Sequence, residues 1–236
     1  MLLLLLVASL AYTLSCIGRF WLTSERLVWE PFVGEPVQIS LRSIPEDGIR
    51  SSFFSIRVVG ERTLHLLHSK QERDLAAVLE LRRQPPLLGS TTTERLADVV
   101  CYEATLQGKA SYDKGYVVLR PGFVAFLPKY KGAEALRVIT GARPSPRVKP
   151  IEIPPLIEHL RSLPSEAAFD ECVERVVAAA GGMRWSAWEV RHDARAPVWK
   201  EIRLHTDGSR PLVLSGKVDW SQQAPAERIL ADWPKR

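Results

Sequence analysis

The sequence has three cysteines, Cys16, Cys101 and Cys172, with no Cys-x-x-Cys spacing. So few unpatterned thiols cannot form a disulfide framework, and they fit a reducing compartment. Its five histidines, His65, His68, His159, His192 and His205, show no His-Glu-x-x-His or comparable spacing, so no metal site follows. Charge of one sign is not concentrated either. Lys and Arg number 32 against 27 Asp and Glu, a net charge of +5, and the basic residues are dispersed among acidic ones. Nucleic acid, which needs a dense cationic surface, is not expected as a partner.

Motifs that carry catalysis are missing as well. Gly181-Gly182 is surrounded by neither dinucleotide nor P-loop glycine spacing and reads as a helix stop. Ser90 and Thr91 to Thr93 lack the strand-turn-helix context of a nucleophile elbow. His192 and Asp193, with Glu189 nearby, are adjacent and so point to opposite faces of a strand. An enzyme would need tertiary folding to assemble scattered groups such as His159, Glu171 and His192, and no spacing supports that. The expectation is a non-enzymatic protein with no cofactor.

What the sequence does have is a long apolar start. Leu2 to Gly18 carries no charge. As a helix it would rise roughly 26 Å, close to the ~30 Å of a bilayer core. Extension through Phe20-Trp21-Leu22, with Arg19 snorkelling to the headgroups and Trp21 and Trp29 as interfacial anchors, completes the span. A transmembrane helix over 1–18 is therefore expected, with a single-pass membrane location. Arg19 and Arg26 follow the segment and favour a cytoplasmic body. Two alternatives stand beside it: a signal cleaved near Ser9-Leu10-Ala11, giving an exported β-rich binding protein, and a lipoprotein site at Thr13 to Cys16.

Beyond Arg19 the pattern is strand-rich. Val37 to Leu41 alternates at period two, and Phe53–Val59 and Thr63–Leu67 flank a Gly60-Glu61-Arg62 turn. A helix follows, with Ser69 and Glu72 as capping box, an apolar stripe through Leu75, Val78, Leu79 and Leu81, and a stop at Pro85-Pro86. Gln84 to Thr93 is turn-rich and reads as a linker. A shift of 97 places Leu22 on Leu119, Leu27 on Val124, Trp29 on Phe126 and Pro31 on Pro128, which suggests an internal repeat. Trp199–His205 and Pro211–Val218 form a hairpin across Asp207-Gly208, and a helix from Ser221 to Trp233 closes the chain. Between them lie a proline-rich stretch from Arg143 to Pro155 and two helices, Leu156–Leu163 and Glu166–Ala180.

Trp21 to Trp29, WLTSERLVW, and Val37 to Ile44, VQISLRSI, resemble the opening strands of bacterial PH-like (membrane-flanked, GRAM-related) domains. Gly115 to Pro128 resembles the same opening hairpin. The resemblance implies an α+β, strand-rich chain of one or two half-open β-barrels, each closed by a C-terminal helix. The expected divisions are 19–84, a linker at 85–99, and 100–236 with a helical insertion at 150–184. It also implies protein docking or weak lipid-headgroup binding. Lys129, Tyr130, Lys131 and Arg137, expected in a loop after the second hairpin, are the residues for it. Membrane lipid and a protein partner are the expected ligands.

Overall fold

The computed structural model describes residues 17–51, 55–67, 70–84, 91–108, 112–145, 151–192, 201–206 and 212–234. The chain divides into two compact units, one of residues 1–85 with 142–151, the other of 86–141 with 152–236.

The first unit opens with β1 (Gly18–Leu22) and β2 (Arg26–Pro31), joined at a turn where Thr23 accepts from the Arg26 amide at 2.9 Å. β3 (Val37–Ser40) completes a three-stranded antiparallel sheet in the order β1-β2-β3. A second antiparallel sheet holds β4 (Ile49–Ser51), β5 (Ser55–Val59) and β6 (Thr63–Leu67). The β5–β6 turn falls at Gly60 to Arg62, where the sequence places it. Period-two alternation sends Leu27, Trp29, Ile39, Ile56, Val58, Leu64 and Leu66 into one core. Helix α1 (Lys70–Arg83) adds Leu75, Ala76, Ala77 and Leu79 to the buried set. The capping box expected at Ser69 and Glu72 lies outside the described residues.

The segment 142–151 belongs to this unit because Ser145 is fixed in it. Its amide donates to Glu80 at 3.1 Å and its hydroxyl to the Ile49 carbonyl at 2.9 Å. Glu80, fully buried, also accepts from Arg83 at 2.7 Å and Gln84 at 3.2 Å, so the buried carboxylate is well satisfied.

The membrane-spanning helix expected over 1–18 is not supported. Among the described residues no helix is long and apolar enough to cross a membrane. Residues 1–16 lie outside the described set, but the proposed extension does not: Gly18 to Leu22 is a strand, paired from Gly18↔Pro31 to Leu22↔Leu27. The reason is local. Phe20 and Leu22 alternate with Arg19 and Trp21, which suits a two-faced strand better than an all-apolar helix. The fold class is corrected accordingly to α+β without that helix, and the single-pass location, with the cytoplasmic placement resting on it, goes with it.

The second unit is a seven-stranded antiparallel, nearly closed barrel. It comprises β7 (Val100–Gln107), β8 (Tyr112–Leu119), β9 (Phe123–Pro128), β10 (Met183–Ser186), β11 (Val190–His192), β12 (Glu201–Thr206) and β13 (Val213–Lys217). The spatial order is β10-β9-β8-β7-β13-β12-β11. Its two edge strands, β10 and β11, are consecutive in the chain and linked by a 3-10 turn at Ala187–Glu189. A capping box holds that turn, with Ser186 donating to Glu189 through both its amide and its hydroxyl at 2.8 Å. These bonds depress the Glu189 carboxyl pKa.

Helices α2 (Gly132–Thr140), α3 (Ile153–Leu160) and α4 (Glu166–Ala180) are inserted between β9 and β10. They cover the outer face of the barrel: α3 contacts β7 and β8, and α4 contacts β9. β9 is therefore buried on both faces, from Phe123 to Leu127. Ser165 caps α4 by accepting from the Ala168 amide at 3.1 Å, and Gly181, at φ 64°, ends it. Helix α5 (Trp220–Ala231) follows β13, and its Ala226 and Ile229, with Trp233 just beyond it, join the barrel core.

The shift of 97 reappears as geometry. β1 and β2 pair with the same register as β8 and β9, so that Gly18↔Pro31 becomes Gly115↔Pro128 and Leu22↔Leu27 becomes Leu119↔Val124. Both glycines are forced by backbone proximity. A Cβ on Gly18 would lie 2.1 Å from the Glu30 carbonyl oxygen, and one on Gly115 2.3 Å from that of Leu127.

Candidate functional site

Three of the four basic-patch residues lie in the turn that leads from β9 into α2. The Lys129 amide donates to the Lys114 carbonyl at 3.0 Å and the Lys131 amide to that of Pro128 at 3.2 Å, which fixes the turn backbone. Tyr130 projects from it, 77% exposed. Arg137 is not in a loop: it is exposed on α2, whose Ala135, Leu136 and Ile139 face the core. That helix was hidden in the sequence because the basic turn and the glycine at its start read as irregular structure.

The electrostatics of this patch are weaker than its composition. Lys129 Nζ lies 2.6 Å from Glu103 Oε1, and Lys131 Nζ lies 3.2 Å from Glu134 Oε1. Glu134 sits one turn before Arg137, on the same helix face. Two carboxylates are thus interleaved with three cations. A headgroup would have to compete with these ion pairs, which lowers the ~1 kcal/mol per basic residue that an unpaired cation offers an anionic surface.

The barrel interior is filled by apolar side chains. Tyr102, Leu106, Phe126, Leu204, Leu214 and Trp233 belong to one continuous cluster there. No family model matches the chain, and no curated protein matches it.

The residues expected at a membrane interface divide between the two faces of one sheet. Arg19 and Trp21 are exposed on the outer face of β1, where Arg19 stands opposite Glu30 and Trp21 opposite Val28. Trp29 is on the inner face of β2 and only 5% exposed, packed in the first unit's core. Trp185 is half-buried against the barrel core, while Trp188 is 65% exposed. His159, Glu171 and His192 stand on α3, α4 and β11 respectively. Among the described residues no cluster of three or more His, Cys, Asp or Glu could hold a metal ion.

Neither of the two described thiols, Cys101 and Cys172, is suited to act as a nucleophile at neutral pH. Burial, with Glu158 adding to it, pushes Cys101 up to about 12, and burial pushes Cys172 up to about 11. Two tyrosines are similarly held neutral. Burial raises Tyr102 and Tyr116, and Tyr116 is raised further by donating to the buried Glu152 carboxylate. Because the folded values lie above the unfolded value of about 10, this stabilisation is complete below that pH and is lost as pH rises beyond it. Absorbance titration at alkaline pH should therefore leave Tyr102 and Tyr116 un-ionised until the fold opens. Tyr102→Phe and Tyr116→Phe should each remove one delayed phenol; smooth titration of every tyrosine in the folded protein would refute the assignment.

Arg120 is a polar residue that no motif singles out. It follows β8, is 2% exposed, and donates to the Asp98 carbonyl at 2.7 Å and to Asp170 at 3.1 Å. Glu166 lies 3.3 Å from it, and the Phe169 ring is 5.3 Å from its guanidinium carbon. The two carboxylates are one helical turn apart on α4, a spacing visible in the sequence, but nothing there pairs them with Arg120.

Proposed function

We propose that the chain is a non-enzymatic docking protein built from two PH-like units, with protein rather than a lipid headgroup as its ligand. The observation that carries this reading is the strand order of the second unit. Seven antiparallel strands run as a meander of four, β7 to β10, and a meander of three, β11 to β13, joined through β7 and β13 and followed by a closing helix. A strand-rich barrel with a closing helix is compatible with the resemblance of Gly115 to Pro128 to a PH-like opening hairpin. The first unit has the same succession of hairpin, further strands and final helix. A barrel filled by its own side chains leaves recognition to its surface. Protein docking is favoured over headgroup binding because Lys129 and Lys131 already have carboxylate partners.

The test is partition of the full chain onto phosphatidylserine-containing vesicles at low salt, compared with the triple variant Lys129→Ala, Lys131→Ala, Arg137→Ala. A headgroup site would lose about 3 kcal/mol, roughly 150-fold, on losing three cations. Docking to protein predicts a change of less than about threefold, because the patch is already compensated. A loss near the larger figure would sink the protein-docking reading.

A further inference from the structure

On the outside of the second unit's barrel, α3 lies against β7 and β8, and α4 against β9. Further round, the outward side chains of β11, β12 and β13, with the adjoining ends of β7 and β8, are exposed or half-buried. Paired residues point to the same side of a sheet, so the register sets their order across this face. One row runs Arg191, His205, Val213, Gln107 and Tyr112, from β11 to β8. The next runs Arg203, Ser215, Thr105 and Lys114. Glu201 and Lys217 stand opposite each other two residues further along, as does Glu103 on β7.

The second row is a shallow trough. Its ends, Arg203 and Lys114, are long, exposed cations, and its floor is the short, half-buried Ser215 and Thr105. The floor is held by its own bonds: the Ser215 hydroxyl donates to Glu201, and the Thr105 hydroxyl to the Ser215 carbonyl at 3.3 Å. Both carboxylates of the face are already matched, Glu103 by Lys129 and Glu201 by Arg203. Arg203 gives Nε and one terminal nitrogen to Glu201, each at 3.3 Å, and its guanidinium keeps further N–H donors. Lys114 and Lys217 are exposed and form no ion pair among the described residues. With Arg191 added, the face carries a surplus of positive charge that calls for an acidic partner. The chain's own undescribed segments do not supply one. Residues 1–16 carry no charge, and the acids elsewhere outside the described residues, Asp193 and Asp207, are each followed closely by an arginine, Arg195 and Arg210. Two copies of a basic face repel each other. Single-stranded nucleic acid needs successive rings to stack on, whereas the exposed aromatic of this face is Tyr112 at its margin.

We propose that this sheet face binds an extended acidic segment of a partner protein, lying across the strands with one carboxylate at Arg203 and another at Lys114. This rests on the docking reading above and names its surface and the partner's chemistry. Three strand spacings of about 4.8 Å separate the two cations, roughly 14 Å. An extended chain advances about 3.4 Å per residue, so carboxylates four residues apart span the same distance on one side of it. The residue midway between them meets the Ser215–Thr105 floor with Val213 beside it, and is therefore small or β-branched.

The probe is a labelled peptide of three Glu-Thr-Val-Thr repeats, added to the full chain at low salt. A control peptide has the same composition with its carboxylates three residues apart, on opposite sides of an extended chain. Anisotropy reads affinity, and amide NMR shifts locate the site. The expected result is saturable binding, about fivefold or more tighter than the control, with shifts centred on Thr105 and Ser215. Lys114→Gln and Arg203→Gln should each weaken it by about two- to fivefold, and Lys131→Gln should leave it unchanged. Both substituted side chains are exposed, and the control peptide leaves the protein unaltered. Absence of binding overturns the proposal, and so does equal affinity for the two peptides, since charge without spacing would then suffice. Tighter binding of a labelled oligothymidylate would assign the face to nucleic acid and overturn it. A dimer that dissociates in the double variant, read by sedimentation, would assign it to a second copy with the same consequence. Failure here with the vesicle result intact removes this surface alone. Loss of vesicle binding in the triple variant removes the docking reading.

Discussion

Trp233→Ala is expected to destabilise the second unit by about 3–5 kcal/mol, the range for deleting a fully buried aromatic. Trp233 is 3% exposed and is the residue by which the segment after α5 seals the barrel core. Its indole nitrogen donates to the Arg120 carbonyl at 3.2 Å, which ties the chain end to the β8–β9 turn. Truncation would leave a cavity against Ile229 and the strands and an unpaired buried carbonyl. Trp233→Phe keeps most of the apolar contact and loses the hydrogen bond, so its cost should be about 1–2 kcal/mol. The labelling rate of Cys172, 2% exposed in α4 of the same unit, followed through a urea series, reports the change. A shift below about 1 kcal/mol for the alanine variant would mean that the helix closes the barrel without stabilising it.

Arg120→Ala should cost about 3 kcal/mol, in the range for removing one member of a buried ionic network. The estimate sits at the lower end because the acidic partners reach solvent: Glu166 is 69% exposed and Asp170 37%, whereas the arginine side chain is 3% exposed. The main loss is the bond to the Asp98 carbonyl and the packing over Phe169. Arg120→Lys preserves the charge but cannot reach Asp98, Glu166 and Asp170 together with a planar fork, so it should recover less than half of the loss. Urea midpoints of the two variants measure this, and equal stability of Arg120→Lys and the parent would show that charge alone suffices.

Several elements were legible because their signal is local. The β5–β6 hairpin combines alternating side chains with a short turn, and Gly181 marks the end of α4. The register shared by the two hairpins was visible as a shift of 97 in the apolar positions. Other features were hidden for equally physical reasons. Helix α2 is only nine residues long and begins at a glycine after a basic turn, so its apolar face spans too few residues to stand out. The Glu80–Ser145 bond joins residues 65 positions apart, and no local pattern encodes such a pair.

The apolar start shows the same division. Hydropathy reported that residues 2–18 are uncharged, but it averages over a window and could not place the point where strand begins. Pairing of Gly18 with Pro31 placed it. Composition likewise identified three cations around Tyr130, while the carboxylates that neutralise two of them come from β7 and α2 and are adjacent only once those elements pack. By itself the sequence determined the hairpins, most helix ends and the alternation that sorts inward from outward residues, since each depends on neighbours within a few positions. Which strand stands beside which, which tryptophan is buried, and which cations share one sheet face were decided by tertiary structure, because those outcomes depend on contacts between residues distant in the chain.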